Sequence, residues 1–148
     1  MPFDANPPKS FYNLDKDDYY YNGTVKGRIY TLKYFDTNGD GEIYLEGFAK
    51  AQNINNVTDM WQDVVIEVYD YSTGKRIASF DIDYHNELVR QPEYSLFYYN
   101  FCIYNLDPDK FYYFGFVNKV SPSGLDVSGY ISHDWTLYFE DAYEDMGW

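Results

Sequence analysis

The stretch that decides the fold of this chain is Val64-Val65-Ile66-Glu67-Val68-Tyr69, whose β-branched residues favour an extended backbone. Ser72-Thr73-Gly74-Lys75 comes next and predicts a turn, because glycine and small hydroxyl residues suit tight reversals. Ile77–Tyr84 then alternates between two faces, with Ile77, Ser79, Asp81 and Asp83 on one and Ala78, Phe80, Ile82 and Tyr84 on the other. A strand, a turn and a second strand predict an antiparallel hairpin.

The flanking sequence continues the strand pattern in both directions. Further strands are predicted at Thr24–Phe35, after an Asn22-Gly23 turn, and at Tyr94–Asn105, Lys110–Val120 and Tyr130–Phe139. Leu106–Asp109 predicts a turn and Ser121–Gly129 a loop, while Gly47–Met60 is ambiguous and contains a candidate helical turn at Phe48–Gln52. Strands recur at short spacing and no long segment has a 3.6-residue period, so the sequence predicts an all-β antiparallel sandwich or barrel.

Three segments are expected along the chain. Residues 1–23 are polar and proline-rich and predict an extended arm, which either reaches a neighbouring molecule or lies on its own domain. Residues 24–139 form the β-sandwich domain, and residues 140–148 an acidic tail. At 148 residues, a single domain with one core is expected.

Composition excludes several classes of partner. The formal net charge is −13, so the surface repels nucleic-acid phosphates and anionic lipids. No apolar run approaches the ~20 residues that a membrane helix needs. The start, Met1-Pro2-Phe3-Asp4, has neither a basic segment nor an apolar core, and therefore does not predict a signal peptide.

Asp36-Thr37-Asn38-Gly39-Asp40-Gly41-Glu42-Ile43, followed by Glu46, is the clearest chemical signal. Oxygen-bearing side chains alternate and glycine permits a sharp bend, as in loops that wrap Ca²⁺ with six to eight oxygens. The competing interpretation is a hairpin turn, which favours the same Asn-Gly and Asp-Gly pairs. A hairpin alone does not explain three alternating oxygens and Glu46, so the sequence predicts a calcium site.

The order of these signals resembles a known family. It runs from Gly23-Thr24-Val25 and Gly27-Arg28-Ile29-Tyr30 through Asp36–Gly41, Glu46-Gly47, Val64–Asp70 and Thr73-Gly74-Lys75 to Tyr99 and Leu106–Tyr112. It is similar to the B-type, Cna-B-like repeat domains of Gram-positive serine-aspartate surface adhesins over roughly residues 23–120. The resemblance implies an immunoglobulin-like or prealbumin-like β-sandwich, clamped by calcium and used as a stalk module.

Carried over residue by residue, the resemblance implies a set of calcium ligands. Asp36, Asn38 and Asp40 would supply side-chain oxygens, Glu42 its backbone carbonyl, and Glu46 the closing carboxylate. Two departures stand out: Phe48–Asp63 is an insertion, and Glu46 stands one position before the closing carboxylate of a helix-loop-helix calcium site.

The same relatives often carry a self-formed Lys–Asn amide, which helps to fix the sandwich. Lys26 or Lys33 with Asn118 would be the candidates here, against the simpler interpretation that all three are ordinary surface residues.

Catalytic patterns are weak, so a non-enzymatic protein is expected. His133 lies between Ser132 and Asp134, but neighbours on a strand point to opposite faces and cannot form a relay. His85 completes no zinc motif, and Asp81 with Asp83 is an acid pair of the kind expected by chance in an acidic chain. The one cysteine, Cys102, is expected to be a buried small hydrophobe rather than a reactive thiol.

Aromatic residues make up 22% of the chain and suggest the alternative function, carbohydrate binding. Candidate platforms are Trp61, Trp135, Trp148 and the clusters Tyr19–Tyr21, Tyr98-Tyr99 and Tyr112-Tyr113. The competing interpretation is that these rings fill the core, although so many tyrosines cannot all be internal.

The sequence thus predicts a non-enzymatic, calcium-stabilised structural or adhesive module outside the cell, on a cell surface or a virion. Its expected partners are proteins or neighbouring subunits of an assembly, with glycan as the alternative ligand. Neither nucleic acid nor membrane insertion is expected.

Overall fold

The computed structural model describes residues 2–51, 64–81, 96–118 and 124–134, to which all structural findings refer. The strands in chain order are β1 (Phe3–Asp4), β2 (Tyr19–Val25), β3 (Arg28–Thr31), β4 (Phe35–Asp36), β5 (Ile43–Ala51), β6 (Val64–Asp70), β7 (Arg76–Asp81), β8 (Leu96–Ile103), β9 (Phe111–Asn118) and β10 (Leu125–Ser132). None of these residues belongs to a helix long and apolar enough to cross a membrane.

The strands form two antiparallel sheets. The first has the order β1-β3-β9-β6-β7, and β4 pairs with β9 beside β3; the second has the order β2-β10-β5-β8. Fully buried residues of both sheets, such as Phe114 and Phe116 of β9 and Leu45 of β5, share one core. The predicted all-β antiparallel sandwich is confirmed, and the predicted hairpin is β6 and β7 with its turn closed by the Asp70 N–H on the Lys75 carbonyl at 2.9 Å.

The predicted turn at Asn22-Gly23 is wrong. Both residues lie inside β2 and pair with β10, and the chain turns at Lys26-Gly27 instead. Tyr19 and Tyr21 point inward and Tyr20 points outward, which is the alternation of a strand, and this strand continues through Asn22 and Gly23. β2 is an edge strand of its sheet, and its continuous pairing with β10, from Tyr19 to Val25, holds both residues extended.

The helical turn considered at Phe48–Gln52 is not formed. The chain is a strand as far as Ala51, because β5 lies between β10 and β8 and pairs with both.

The predicted loop at Ser121–Gly129 is also wrong over its second part, where β10 begins at Leu125. Gly129 lies opposite Gly47, and a β-carbon at Gly129 would lie 2.8 Å from the Gly47 Cα. The glycine therefore marks a close approach of backbones within the sheet.

The N-terminal arm packs on its own domain. β1 pairs with β3, Phe11 forms a bridge with Tyr34, and Leu14 is 4% exposed. The sandwich starts earlier than residue 24, since β2 begins at Tyr19. The acidic tail at residues 140–148 lies outside the described residues.

Candidate functional site

The predicted calcium loop follows β4 and is shaped by Asn38. Its Oδ1 accepts hydrogen bonds from the backbone N–H groups of Asp40 at 2.9 Å and Glu42 at 3.0 Å. Gly41 has a φ of 75°, and a β-carbon there would collide with the carbonyl of Leu106. The asparagine and this glycine are therefore required by the turn itself, whether or not a cation binds.

His133, which follows β10, ties this loop to the arm. Its Nδ1 lies 2.8 Å from Asp15 Oδ1 and its Nε2 lies 2.9 Å from the Asp36 carbonyl oxygen. Both partners are acceptors, so both ring nitrogens donate when the imidazole is protonated. Burial lowers the pKa of His133, but the hydrogen bonds to Asp36 and Asp15 and their charges outweigh it, and the net shift is upward.

Three of the five predicted ligands have their ligating oxygens engaged elsewhere. Asn38 Oδ1 serves the turn, and the backbone carbonyl of Glu42, its predicted ligating group, accepts a hydrogen bond from the Asn38 N–H at 3.0 Å. Glu46 is 7% exposed on β5, where its carboxylate accepts hydrogen bonds from the hydroxyls of Tyr98 and Tyr130.

The other two predicted ligands retain carboxylate oxygens. Asp36 Oδ1 is buried without a hydrogen bond, although the His133 ring lies 3.1 Å away, and Asp40 is exposed. No three His, Cys, Asp or Glu residues of the described ranges are grouped so as to hold a metal. The five predicted ligands thus do not surround a common point in this structure, and calcium binding stays a prediction.

A different surface emerges on the outer face of the first sheet. Four aromatic side chains meet there and form what we call the aromatic band: Phe11, Tyr34, Tyr71 and Phe111. Phe11 and Phe111 are 41% and 42% exposed. Tyr34 stacks on Tyr71 with ring centroids 3.8 Å apart and an interplanar angle of 20°. The rings of Phe11 and Phe111 lie 5.6 Å apart, and that of Tyr34 lies 5.5 Å from Phe111.

Backbone pairing holds the band together. Phe11 bridges Tyr34, and the Tyr71 N–H donates to the Phe111 carbonyl at 2.9 Å. The four residues come from the arm, the β3–β4 link, the β6–β7 turn and the start of β9. Their separation in sequence explains why no local pattern revealed the band.

A second layer of rings continues the band along the sheet. This tyrosine layer consists of Tyr30, Tyr69 and Tyr113. Tyr69 and Tyr113 stack at 5.0 Å with an interplanar angle of 5°, and Tyr113 lies 6.4 Å from Tyr71 of the band. A β-carbon at Gly115 would lie 3.1 Å from Tyr69, so the glycine leaves the space that the layer occupies.

The tyrosine layer ends at a group of charges that we call the arginine clamp: Arg28, Glu67 and Arg76. Tyr69 OH donates to Glu67 Oε1 at 2.6 Å, and the two arginines lie 3.1 and 3.0 Å from the same carboxylate. Burial raises the pKa of Glu67, but hydrogen bonds from Tyr69, Arg76 and Arg28 outweigh it and lower the pKa. The carboxylate is therefore held ionised under the sheet surface.

A cleft of about 590 Å³ lies beside β2, where Tyr12, Asp17, Asp18 and Tyr20 are among its lining residues. Of the predicted Tyr19–Tyr21 cluster only Tyr20 is exposed, at 44%, because its two neighbours point into the core.

The other sequence candidates are dispersed. Of the residues considered for a lysine–asparagine cross-link, Lys33 donates through Nζ to Ser10 Oγ. Asn118 lies beside the segment that carries Lys26, because its side-chain amide donates to the Val25 carbonyl at 3.1 Å and its backbone N–H to the Gly27 carbonyl at 3.0 Å. The cross-link stays a prediction. Cys102 is half-buried, and burial followed by the charge of Glu42 raises the pKa of its thiol. Trp61, Trp135, Trp148, His85 and Asp83 lie outside the described residues.

Comparison with known proteins identifies no family. No protein-family model matches the chain, and no curated protein matches it. A mitogen derived from Yersinia pseudotuberculosis has 14% identity and a TM-score of 0.41, with 84% of this chain and 92% of the mitogen covered. The enzymatically active domain of tailspike protein 4 from bacteriophage CBA120 has 9% identity and a TM-score of 0.47, with 78% of this chain but only 15% of the tailspike chain covered. Neither likeness bears on what this chain binds.

Proposed function

We propose that this chain is a non-enzymatic binding module that holds carbohydrate on the aromatic band, and that it works outside the cell, on a cell surface or a virion. The observation that supports the proposal is the contiguity of four aromatic rings on one sheet face, two of them more than 40% exposed. Isolated exposed apolar side chains are ordinary, whereas a contiguous patch of them indicates a binding surface.

The chemistry of the band suits a sugar. The face of an aromatic ring carries partial negative charge, which attracts the polarised C–H groups on one side of a sugar ring. Two of the four rings are tyrosines, whose hydroxyls can bond to sugar hydroxyls. Beside Tyr71, the exposed Lys110 ammonium lies 3.3 Å from Asp70 and adds a further polar contact at the rim.

Substitution of single rings tests the proposal. Affinity electrophoresis in gels that contain neutral polysaccharides should show retardation of the native chain. Tyr71→Ala and Phe111→Ala should each weaken binding by about tenfold, the equivalent of ~1.4 kcal/mol. Tyr104→Ala is the matched control, because Tyr104 is 64% exposed and belongs to neither the band nor the tyrosine layer.

Two results would count against the band. If no polysaccharide retards the chain, carbohydrate binding is wrong. If Tyr20→Ala abolishes retardation while Tyr71→Ala does not, the sugar binds in the cleft beside β2.

The calcium-stabilised structural module predicted from the sequence is the second candidate. One observation favours it: Asp36 Oδ1 is buried without a hydrogen bond, and a cation would compensate its burial also when the His133 ring, 3.1 Å away, is neutral. Such a module would join neighbouring subunits, and the two candidates are compatible if calcium fixes the loop while the band binds the ligand.

A further inference from the structure

The arginine clamp concentrates positive charge on a chain that is otherwise acidic. The Glu67 side chain is 1% exposed, whereas those of Arg28 and Arg76 are 46% and 52% exposed. Two guanidinium groups against one carboxylate leave a local excess of one positive charge, in a chain whose formal net charge is −13. The clamp therefore presents cations outward and buries the anion that holds them.

Both arginines have N–H groups beyond those that donate to Glu67. Arg28 donates through Nε and Nη2, at 3.1 and 3.3 Å, and Arg76 through Nη1 at 3.0 Å. A guanidinium has five N–H donors, so most of those on Arg76 make no hydrogen bond within the described part of the chain. Glu67 fixes the orientation of the guanidinium groups, which lowers the entropy that a ligand would lose in ordering them.

The clamp is continuous with the aromatic band. Tyr69, which donates to Glu67, stacks on Tyr113, and the Tyr113 ring lies beside Tyr71 of the band. Tyr69 and Tyr113 are 9% and 4% exposed, so a ligand on this face would contact the exposed rings of the band and the guanidinium groups, but not the two stacked rings between them.

We propose that the arginine clamp binds the carboxylate of an acidic sugar, so that the ligand is an oligosaccharide with a terminal uronic acid. The inference rests on the proposed function of the aromatic band and adds the class of sugar. Arginine and carboxylate form charge-assisted, often paired hydrogen bonds, which a neutral sugar cannot provide. A single terminal carboxylate fits better than a polyanion, because a charged polymer would also meet the acidic remainder of the surface.

The test compares one oligosaccharide in two forms. Titration calorimetry would use a tetrasaccharide that ends in glucuronic acid and the same tetrasaccharide with its carboxyl group methyl-esterified. The free acid should bind the native chain about tenfold more tightly at low salt, and this preference should shrink as salt rises.

Arg76→Gln should remove the preference for the acid and leave the affinity for the ester unchanged. Arg76 is chosen because Arg28 and Tyr69 continue to hold Glu67 in that variant. Lys75→Gln is the matched control: it removes one neighbouring positive charge outside the clamp and should keep the preference.

The outcomes separate the two proposals. Equal affinity for acid and ester, with Tyr71→Ala weakening both, would overturn the acidic-sugar inference and leave carbohydrate binding intact. A preference for the acid that survives Arg76→Gln would also overturn the clamp. Absence of binding by both forms, together with no retardation by any polysaccharide, would overturn both.

Discussion

The hydroxyl oxygens of Tyr21 and Tyr99 lie 2.6 Å apart, although these residues belong to opposite edge strands of the second sheet. Tyr21 of β2 pairs with Gly129 of β10, Gly129 with Gly47 of β5, and Gly47 with Tyr99 of β8. The two rings reach across the two glycines, whose missing side chains leave the room. Both tyrosines are almost fully buried, so their hydroxyls depend on each other.

A double-mutant cycle should reveal this dependence. Tyr21→Phe and Tyr99→Phe should each lower the free energy of unfolding by about 1–3 kcal/mol, because each leaves a buried hydroxyl without its partner. The double variant should lose clearly less than the sum, since neither hydroxyl remains. Urea unfolding of the four proteins gives the coupling energy, and strictly additive losses would show that the hydrogen bond is unimportant.

The glycines beneath the tyrosines should resist substitution. In Gly129→Ala the new β-carbon would lie 2.6 Å from the Tyr21 hydroxyl and 2.8 Å from the Gly47 Cα, so backbone or rings must move. We expect a loss of about 1–3 kcal/mol in the free energy of unfolding, as for other overpacked sites.

Gly27→Ala is the matched control, because a β-carbon at Gly27 would meet no heavy atom of the described residues within 4 Å. It should change stability by less than about 0.5 kcal/mol. Equal effects of the two substitutions, measured by chemical unfolding, would contradict the close approach of β5 and β10.

The clamp should make stability depend on acid. The pKa of Glu67 is lower in the folded chain than its ordinary value of 4.5, so the unfolded chain takes up this proton first as pH falls. The stabilisation is complete well above pH 4.5 and is lost as pH falls through the lowered pKa of the folded state. Glu67→Gln should therefore cost about 1–3 kcal/mol at neutral pH and progressively less in acid.

Thermal melts of the native chain and Glu67→Gln between neutral and acidic pH would measure this difference. Glu42→Gln is a control of the same chemistry, since Glu42 contacts Tyr44 and Cys102 but neither arginine. A gap between native and Glu67→Gln that widens in acid would contradict the assignment.

The sequence predicted the sheet architecture better than the surface, for a physical reason. The β-branched residues of Val64–Tyr69 favour a strand locally, and β6 forms where predicted. Gly129 and Gly47 are residues that favour loops but lie in the central strands β10 and β5, because their missing side chains let backbones and tyrosines approach. That role depends on partners from distant strands, which local propensity does not contain.

The aromatic band and the arginine clamp could not be predicted from local sequence either. The aromatic band needs a residue from the arm beside one from each of three other segments, and the arginine clamp joins β3, β6 and β7. By contrast, the bend at Asn38 and Gly41 was evident from sequence because the residues that make it are neighbours. What the sequence left open there was whether the oxygens serve a cation or the turn.

Calcium addition addresses that question. At calcium a hundredfold above Kd, binding should add ~2.7 kcal/mol to the free energy of unfolding, which corresponds to a rise of several degrees in Tm. Of the three carboxylates predicted to ligate through their side chains, Glu46 accepts hydrogen bonds from two tyrosine hydroxyls, which leaves Asp36 and Asp40. The rise should therefore disappear in Asp36→Asn and in Asp40→Asn. Glu46→Gln should lower Tm through the lost contacts with Tyr98 and Tyr130 but keep the rise in Tm that calcium causes, the calcium increment.

Differential scanning calorimetry with calcium and with chelator separates the two effects. A residue that ligates the ion changes the calcium increment, whereas a structural residue changes the Tm measured with chelator. Loss of the increment in Glu46→Gln would restore that residue as the closing ligand, and its absence from the native chain would leave Asn38 as the organiser of a turn that binds no cation.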